Sequence, residues 1–198
     1  MIRDSHLVVI DGTNASGKTT FLHALCAKLR RRGAHVGLLP EPARQSPLVD
    51  DVVLRQREAF DLTVEIDLFS RHISNACRAS RQFSILLADR SPINVITYCD
   101  ILNVARTPCE RQILIDMKSL ARSWQAKADL TILCRDQYVQ DQGGDMMRQK
   151  VLHIQETLDR ELVCAYSDCD TIVKMPIGLE LEEKVSFAMQ HLSKKGIA

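Results

Sequence analysis

The sequence predicts an α/β protein, a three-layer α/β/α sandwich on a five-stranded parallel sheet. Three observations carry that expectation. Five short apolar runs rich in branched residues punctuate the 198 residues. Each run is nearly continuous in apolarity, as strands covered on both faces are. Stretches of helical period separate them. No internal repeat, low-complexity tract or linker divides the chain, so residues 1–198 are expected to form one domain.

The first strand is expected at LVVI (7–10). A helix follows from Gly17, because Phe21, Leu22, Leu25, Cys26 and Leu29 keep one face and Gly33 stops the chain after them. The run Arg30-Arg31-Arg32 falls in its last turn, where cations complement the helix dipole. VGLL (36–39) is the second strand. From Val49 to about Arg81 the pattern is helical and reads as two helices, with Ile66, Phe69, Ile73 and Ala76 as the buried stripe. SILLA (84–88) is the third strand, followed by helices over Pro92 to Val104 and Cys109 to Ala126, the second entered through Pro108. LTILC (130–134) and TIVKM (171–175) supply the last strands. Between them runs an amphipathic stretch from Lys150 to Tyr166, and a final helix spans Leu181 to Ser193. Residues 136–148 are polar, contain Gly143-Gly144 and are expected to form a mobile lid, with Asp136, Asp141 and Asp145 on its solvated surface.

Composition excludes several classes of function. With 26 Lys plus Arg against 25 Asp plus Glu, the chain has no charge excess to attract nucleic acid, so any anion site is local. No apolar run is long enough to span a bilayer. The seven cysteines form no CxxC pair and have no histidine at zinc spacing. They read as small core residues. Their odd number, and an opening MIRDSHLVVID with no signal-peptide pattern, favour a reducing cytoplasm. The six histidines are isolated and read as surface or core. Trp124 is expected to anchor its helix in the core or at an interface.

The chemistry concentrates in GTNASGKT, where two glycines five positions apart precede Lys18 and Thr19 between a strand and a helix. That context is what a phosphate-gripping loop requires. Its backbone N–H groups turn toward phosphate oxygens, Lys18 reaches the β- and γ-phosphates, and the Thr19 hydroxyl meets Mg²⁺. Gly12, Asn14, Ala15, Ser16, Gly17, Lys18, Thr19 and Thr20 are the expected nucleotide-binding residues. Asn14 and Ser16 either close the loop or approach a substrate.

Two further motifs emerge at the carboxyl edge of the sheet, where ligands bind in this class of fold. In LLPEPAR (38–44), Glu41 suits a group that orients an acceptor oxygen; the alternative is a surface glutamate before a turn proline. In ILLADRSPINVITY (85–98), Asp89 is expected near the metal and Arg90 beside phosphate. The same residues also read as an ion pair at a helix start, with Ser91 as N-cap and Pro92 at the first helical position. Both readings hold together. Arg135 and Arg148 are the candidates for a lid arginine that stabilises the transferring phosphoryl group; Arg148 is the better placed, against the alternative of a first-turn surface arginine.

The loop, EP after the second strand, and DR after the third followed by Tyr98 resemble the thymidylate kinase and deoxynucleoside kinase group of P-loop kinases. The motifs cover residues 7 to 100. The resemblance implies that Glu41 and Arg90 meet the acceptor and that Tyr98 lies near a nucleoside; Arg44 and Phe69 are expected to complete that side. Thymidylate kinases usually carry an aspartate where this chain has Asn14, and a tyrosine where it has Ser91. DRS is more similar to the ERS of deoxynucleoside kinases, and EPAR and DRSP are also similar to a looser set of P-loop ATPases and kinase-like proteins. The expected activity is transfer of the γ-phosphoryl of ATP, with Mg²⁺, to a nucleoside or nucleoside monophosphate. The alternative is a nucleotide-dependent switch without a small-molecule acceptor. The resembled group is commonly dimeric, and a homodimer is expected on that basis alone.

Overall fold

A computed structural model describes residues 5–53, 60–138 and 154–198. Five strands form one parallel sheet: β1 (His6–Gly12), β2 (Val36–Leu39), β3 (Ile85–Asp89), β4 (Leu130–Cys134) and β5 (Ile172–Lys174), in the order β2-β3-β1-β4-β5. Among the described residues the helices are α1 (Lys18–Arg31), α2 (Pro47–Val53), α3 (Leu62–Ala79), α4 (Pro92–Leu102), α5 (Pro108–Gln125), α6 (Gln155–Ala165) and α7 (Leu181–Lys194), with a short 3-10 turn at Pro42–Gln45. Much of the expected lid, including Arg148, and the first residues of the stretch from Lys150 lie outside the described residues.

Alternation along β1 separates the two faces. Val8 and Ile10 pack with Leu25 and Leu29 of α1 and Leu192 of α7, whereas Leu7 and Val9 pack with Ala76 of α3 and with Trp124 of α5. The connection after β1 therefore leaves toward one face and the connection after β3 toward the other. The carboxyl ends of these adjacent strands border the crevice in which an open parallel sheet binds ligands. Helix α4 is apolar nearly all round, with Ile93, Val95, Ile96 and Cys99 buried among α3, α5 and α6, as a helix enclosed by others must be. Thr107 caps α5 in a reciprocal arrangement with Glu110, so Pro108 occupies the first helical position instead of preceding the helix.

Several expectations are corrected. Ile66 is exposed, and the buried residues of α3 are Leu62, Val64, Glu65, Leu68, Phe69 and Ala76. Phe69, Ala76 and the partly buried Ile73 of the expected stripe do lie on the buried face; Ile66 does not, and the ionisable Glu65 beside it takes the buried position instead. β5 is shorter than expected and partly open, an edge strand with a partner on one side only. Only Cys26, Cys99 and Cys134 are buried, while Cys109 and Cys164 are exposed. Asp136 is not solvated: it forms a buried ion pair with Lys184 of α7 (2.6 Å, both side chains 5% exposed) and accepts from the Gly178 backbone N–H at 2.8 Å. No described helix is long and apolar enough to cross a membrane.

Candidate functional site

The loop between β1 and α1 is shaped by two glycines that no other residue replaces without strain. Gly12 adopts φ +142°, and a Cβ there would lie 2.1 Å from the Cys134 carbonyl oxygen, because register sets Gly12 opposite Cys134. Gly17 adopts φ +74° under the Tyr138 ring, while the Tyr138 backbone N–H donates to the Ala15 carbonyl at 3.0 Å. α1 begins at Lys18, so its free N–H groups face the loop. The Lys18 ammonium is folded back into the loop, donating to the Thr13 carbonyl and to Ser16 Oγ. Burial, helped by the Arg90 charge, lowers its pKa from the usual lysine value to about 8.

Thr19 Oγ1 donates to Asp89 Oδ2 at 2.8 Å. Asp89 Oδ1 is buried with no hydrogen-bond partner among the described residues. Burial pushes this carboxyl above its ordinary range, against the pull of Lys18. A hydroxyl beside an unsatisfied buried carboxylate oxygen fits Mg²⁺, a hard cation that takes few protein ligands and completes its shell with water and phosphate. Among the described residues no cluster of three or more histidine, cysteine or acidic side chains could hold a metal by itself.

Arg90 occupies the left-handed region at φ +72°, a conformation that costs a non-glycine residue and is held by its surroundings. Its backbone N–H donates to Ile10 O at 2.9 Å, since register sets Asp89 beside Ile10. The guanidinium is gripped on three sides. Nε lies 2.7 Å from Glu41 Oε1 as a charge contact without hydrogen-bond alignment, Nη1 donates to Asn94 Oδ1 at 2.8 Å, and Nη2 donates to Asn14 Oδ1. Burial opposes the charge on Arg90, but Glu41 and the neighbouring acidic groups outweigh it and raise its pKa. In return Glu41, although burial works against its ionisation, is held below the ordinary carboxylate range by Arg90, Lys18 and Arg44. His72 is kept neutral by burial and by Arg90, its pKa lowered to about 3.

Behind this grip sits Asp11, the last buried acid of β1. It accepts from Asn94 Nδ2 at 2.6 Å and its own Gly12 N–H at 2.7 Å through Oδ1, and from the hydroxyls of Ser91 (2.7 Å) and Tyr166 (2.6 Å) through Oδ2. Ser91 also caps α4 by accepting from Asn94 N–H at 3.2 Å. Asn94 therefore turns its NH₂ to Asp11 and its carbonyl to Arg90, which orients the arginine.

A cavity of about 100 Å³ opens beside the loop, and Glu41, Arg44, Arg90 and Tyr98 line it with Asn14. Asn14 Nδ2 donates to Tyr98 Oη at 3.1 Å, and its backbone carbonyl accepts from Gln155 Nε2 at 2.6 Å. Phe69 does not line this cavity: it packs in the core, and Leu68 and His72 face the space instead. Arg135 is paired with Asp159 at 2.6 Å. The sequence reading missed Asp11, Asn94, Tyr166 and Glu65 as site residues. Asn94, one helical turn after Arg90, was discoverable from spacing; Tyr166, distant in sequence, carried no signal.

No known sequence family matches the chain, and no curated protein does. Solved structures do. A thymidylate kinase from Candida albicans superposes with a TM-score of 0.74 at 15% identity, covering 98% of this chain and 93% of that one. A thymidylate kinase from Ehrlichia chaffeensis does so with a TM-score of 0.62 at 15% identity, covering 96% and 98%. At that identity the likeness is one of fold.

Proposed function

We propose that this protein is an ATP- and magnesium-dependent kinase that transfers the γ-phosphoryl group to a nucleoside or nucleoside monophosphate. The observation that carries this reading is the Arg90 junction: one guanidinium hydrogen-bonded to the phosphate loop through Asn14 and ion-paired with Glu41 on the wall of the neighbouring cavity. Such a junction suits the point where a donor's terminal phosphate meets an acceptor. The fold shared with thymidylate kinases agrees with it and makes thymidine monophosphate the first acceptor to test.

In this reading the loop N–H groups and the α1 N-terminus hold the phosphates, and Lys18 leaves the Thr13 carbonyl to neutralise the β- and γ-phosphates. Glu41, kept ionised by Arg90, accepts a hydrogen bond from the acceptor hydroxyl, or, for a monophosphate acceptor, orients Arg90 toward the phosphate. The acceptor oxygen bonds to the γ-phosphorus as the bond to the β–γ bridging oxygen breaks and ADP leaves; when the acceptor is a hydroxyl, its proton passes to the Glu41 carboxylate and from there to solvent. Thr19 and Asp89 would hold magnesium, which supplies charge neutralisation along the phosphates. Arg148 is the proposed lid arginine. Positioning and charge stabilisation carry catalysis, with no covalent protein intermediate.

The test is ADP release from Mg-ATP against a panel of nucleosides and nucleoside monophosphates, with Lys18→Ala as background. An acceptor that stimulates release and gains the mass of one phosphoryl group supports the reading. If ATP binds and no acceptor stimulates release, the kinase reading fails for this panel and a nucleotide-dependent switch takes its place.

A further inference from the structure

Glu65 lies in the first turn of α3, one helical turn after the cap Asp61, and only 3% of it is exposed. Its side chain lines the same cavity as Glu41, Arg90 and Tyr98, beside the apolar Leu68, Val95 and Leu102. No described residue donates a hydrogen bond to its carboxyl group, although buried polar groups are nearly always paired. A buried carboxyl group that borders this cavity among both apolar and polar side chains, and takes no hydrogen bond from a described residue, is placed to find its partner in a ligand. Burial, then the charge of Asp61, pushes this group up to about 8 against the pull of Arg90, so near pH 7 it is chiefly the neutral acid. A neutral carboxyl group presents one O–H donor and one carbonyl acceptor side by side, whereas an ionised one only accepts.

Building on the kinase reading, we propose that Glu65 reads the heterocyclic base of the acceptor, pairing with a ring edge on which a hydrogen-bond acceptor stands beside a donor. Amide and amidine edges of nucleobases have that pattern. An edge with two donors, which suits a carboxylate, is disfavoured. A site built to hydrogen-bond one edge rejects an analogue that lacks it, because its own polar group is then left unpaired.

The test is calorimetric binding of the acceptor that wild type phosphorylates best, measured with wild type, Glu65→Gln and Glu65→Leu at pH 7 and pH 9, with MgATP binding as the control for folding. Glutamine keeps a donor beside an acceptor and does not titrate. Glu65→Leu is expected to weaken acceptor binding at pH 7 by roughly tenfold or more, as expected when one partner of a hydrogen bond is lost. Glu65→Gln is expected to stay within about threefold of wild type and to lose the weakening that wild type shows at pH 9. Among the described residues, the other titratable groups facing Glu65 are Asp61 and His72 on α3, Glu41 and Arg44 after β2, Arg90 after β3, and Tyr98 and Cys99 on α4, the last of these shifted up chiefly by burial. His72 and Glu41 are shifted down, and Arg90 and Tyr98 up, away from this window. Lys18 does titrate there but is common to all three proteins, so the difference between wild type and Glu65→Gln isolates Glu65. Unchanged acceptor binding in Glu65→Leu, or the same pH response in Glu65→Gln, overturns the proposal and leaves the kinase reading standing. Failure of wild type to phosphorylate any acceptor removes both.

Discussion

Replacing Asn94 by alanine should cost both stability and acceptor recognition, and the structure sets the scale. The Asn94 amide is buried; it donates to Asp11 Oδ1 at 2.6 Å and to the Gly12 carbonyl at 3.3 Å, and it accepts from Arg90 Nη1 at 2.8 Å. Two of these three bonds are to charged groups, each worth about 1.5–3 kcal/mol. Their sum is an upper bound, since water can enter the space and alanine favours the helix by up to about 0.7 kcal/mol. We expect a loss of about 3 kcal/mol in urea unfolding at pH 7, or a melting temperature lower by roughly 6–12 °C for a chain of this size. Arg90, freed on one side, should raise the KM for the acceptor more than that for ATP. Asn94→Asp, which sets a second carboxylate against Asp11, should lose more than alanine does. A loss below about 1 kcal/mol, the range of ordinary surface substitutions and weak bonds, would refute the orienting role. So would an equal rise in both KM values.

Other consequences are as concrete. Lys184→Met leaves Asp136 buried and unpaired, so stability should fall by about 3–5 kcal/mol, and adding Asp136→Leu should restore much of it; equal losses in the single and double variants would contradict the pairing. Gly12→Ala, whose new Cβ meets the Cys134 carbonyl, should lose at least about 3 kcal/mol. Gly33→Ala, also at positive φ but in open space, should lose about 1 kcal/mol. Phosphate should draw the Lys18 pKa up from about 8, so MgATP binding at pH 9 should take up a proton, while at pH 7, where Lys18 is already protonated, uptake should be small. Calorimetry in two buffers of different ionisation enthalpy reads this, and Lys18→Met should abolish it.

The sheet was legible because its strands are apolar runs and because the loop between β1 and α1 has fixed spacing. Thr19 meeting Asp89, and Arg90 meeting Glu41, follow from strand ends that share one edge, which strand pattern and motif order together anticipate. Only Ile66 of the α3 stripe was misplaced, because periodicity counts apolar residues and the buried position beside it is held by the carboxyl group of Glu65. Asp136 was misread for the converse reason: an acid in a polar stretch looks solvated until its partner, 48 residues away on α7, is known. Tyr166 illustrates the same limit, since its bond to Asp11 spans 155 residues and only the folded chain brings the two together.

Asn14 holds Arg90 with its carbonyl, Tyr98 with its amide and Gln155 with its backbone, so a single side chain belongs to both halves of the crevice. Thermodynamic reciprocity gives that arrangement a consequence. A molecule that settles on the loop and reorients Asn14 alters the grip on Arg90, and with it the affinity of whatever occupies the adjoining cavity. The occupant of that cavity must then change the affinity of the loop for the first molecule by the same factor.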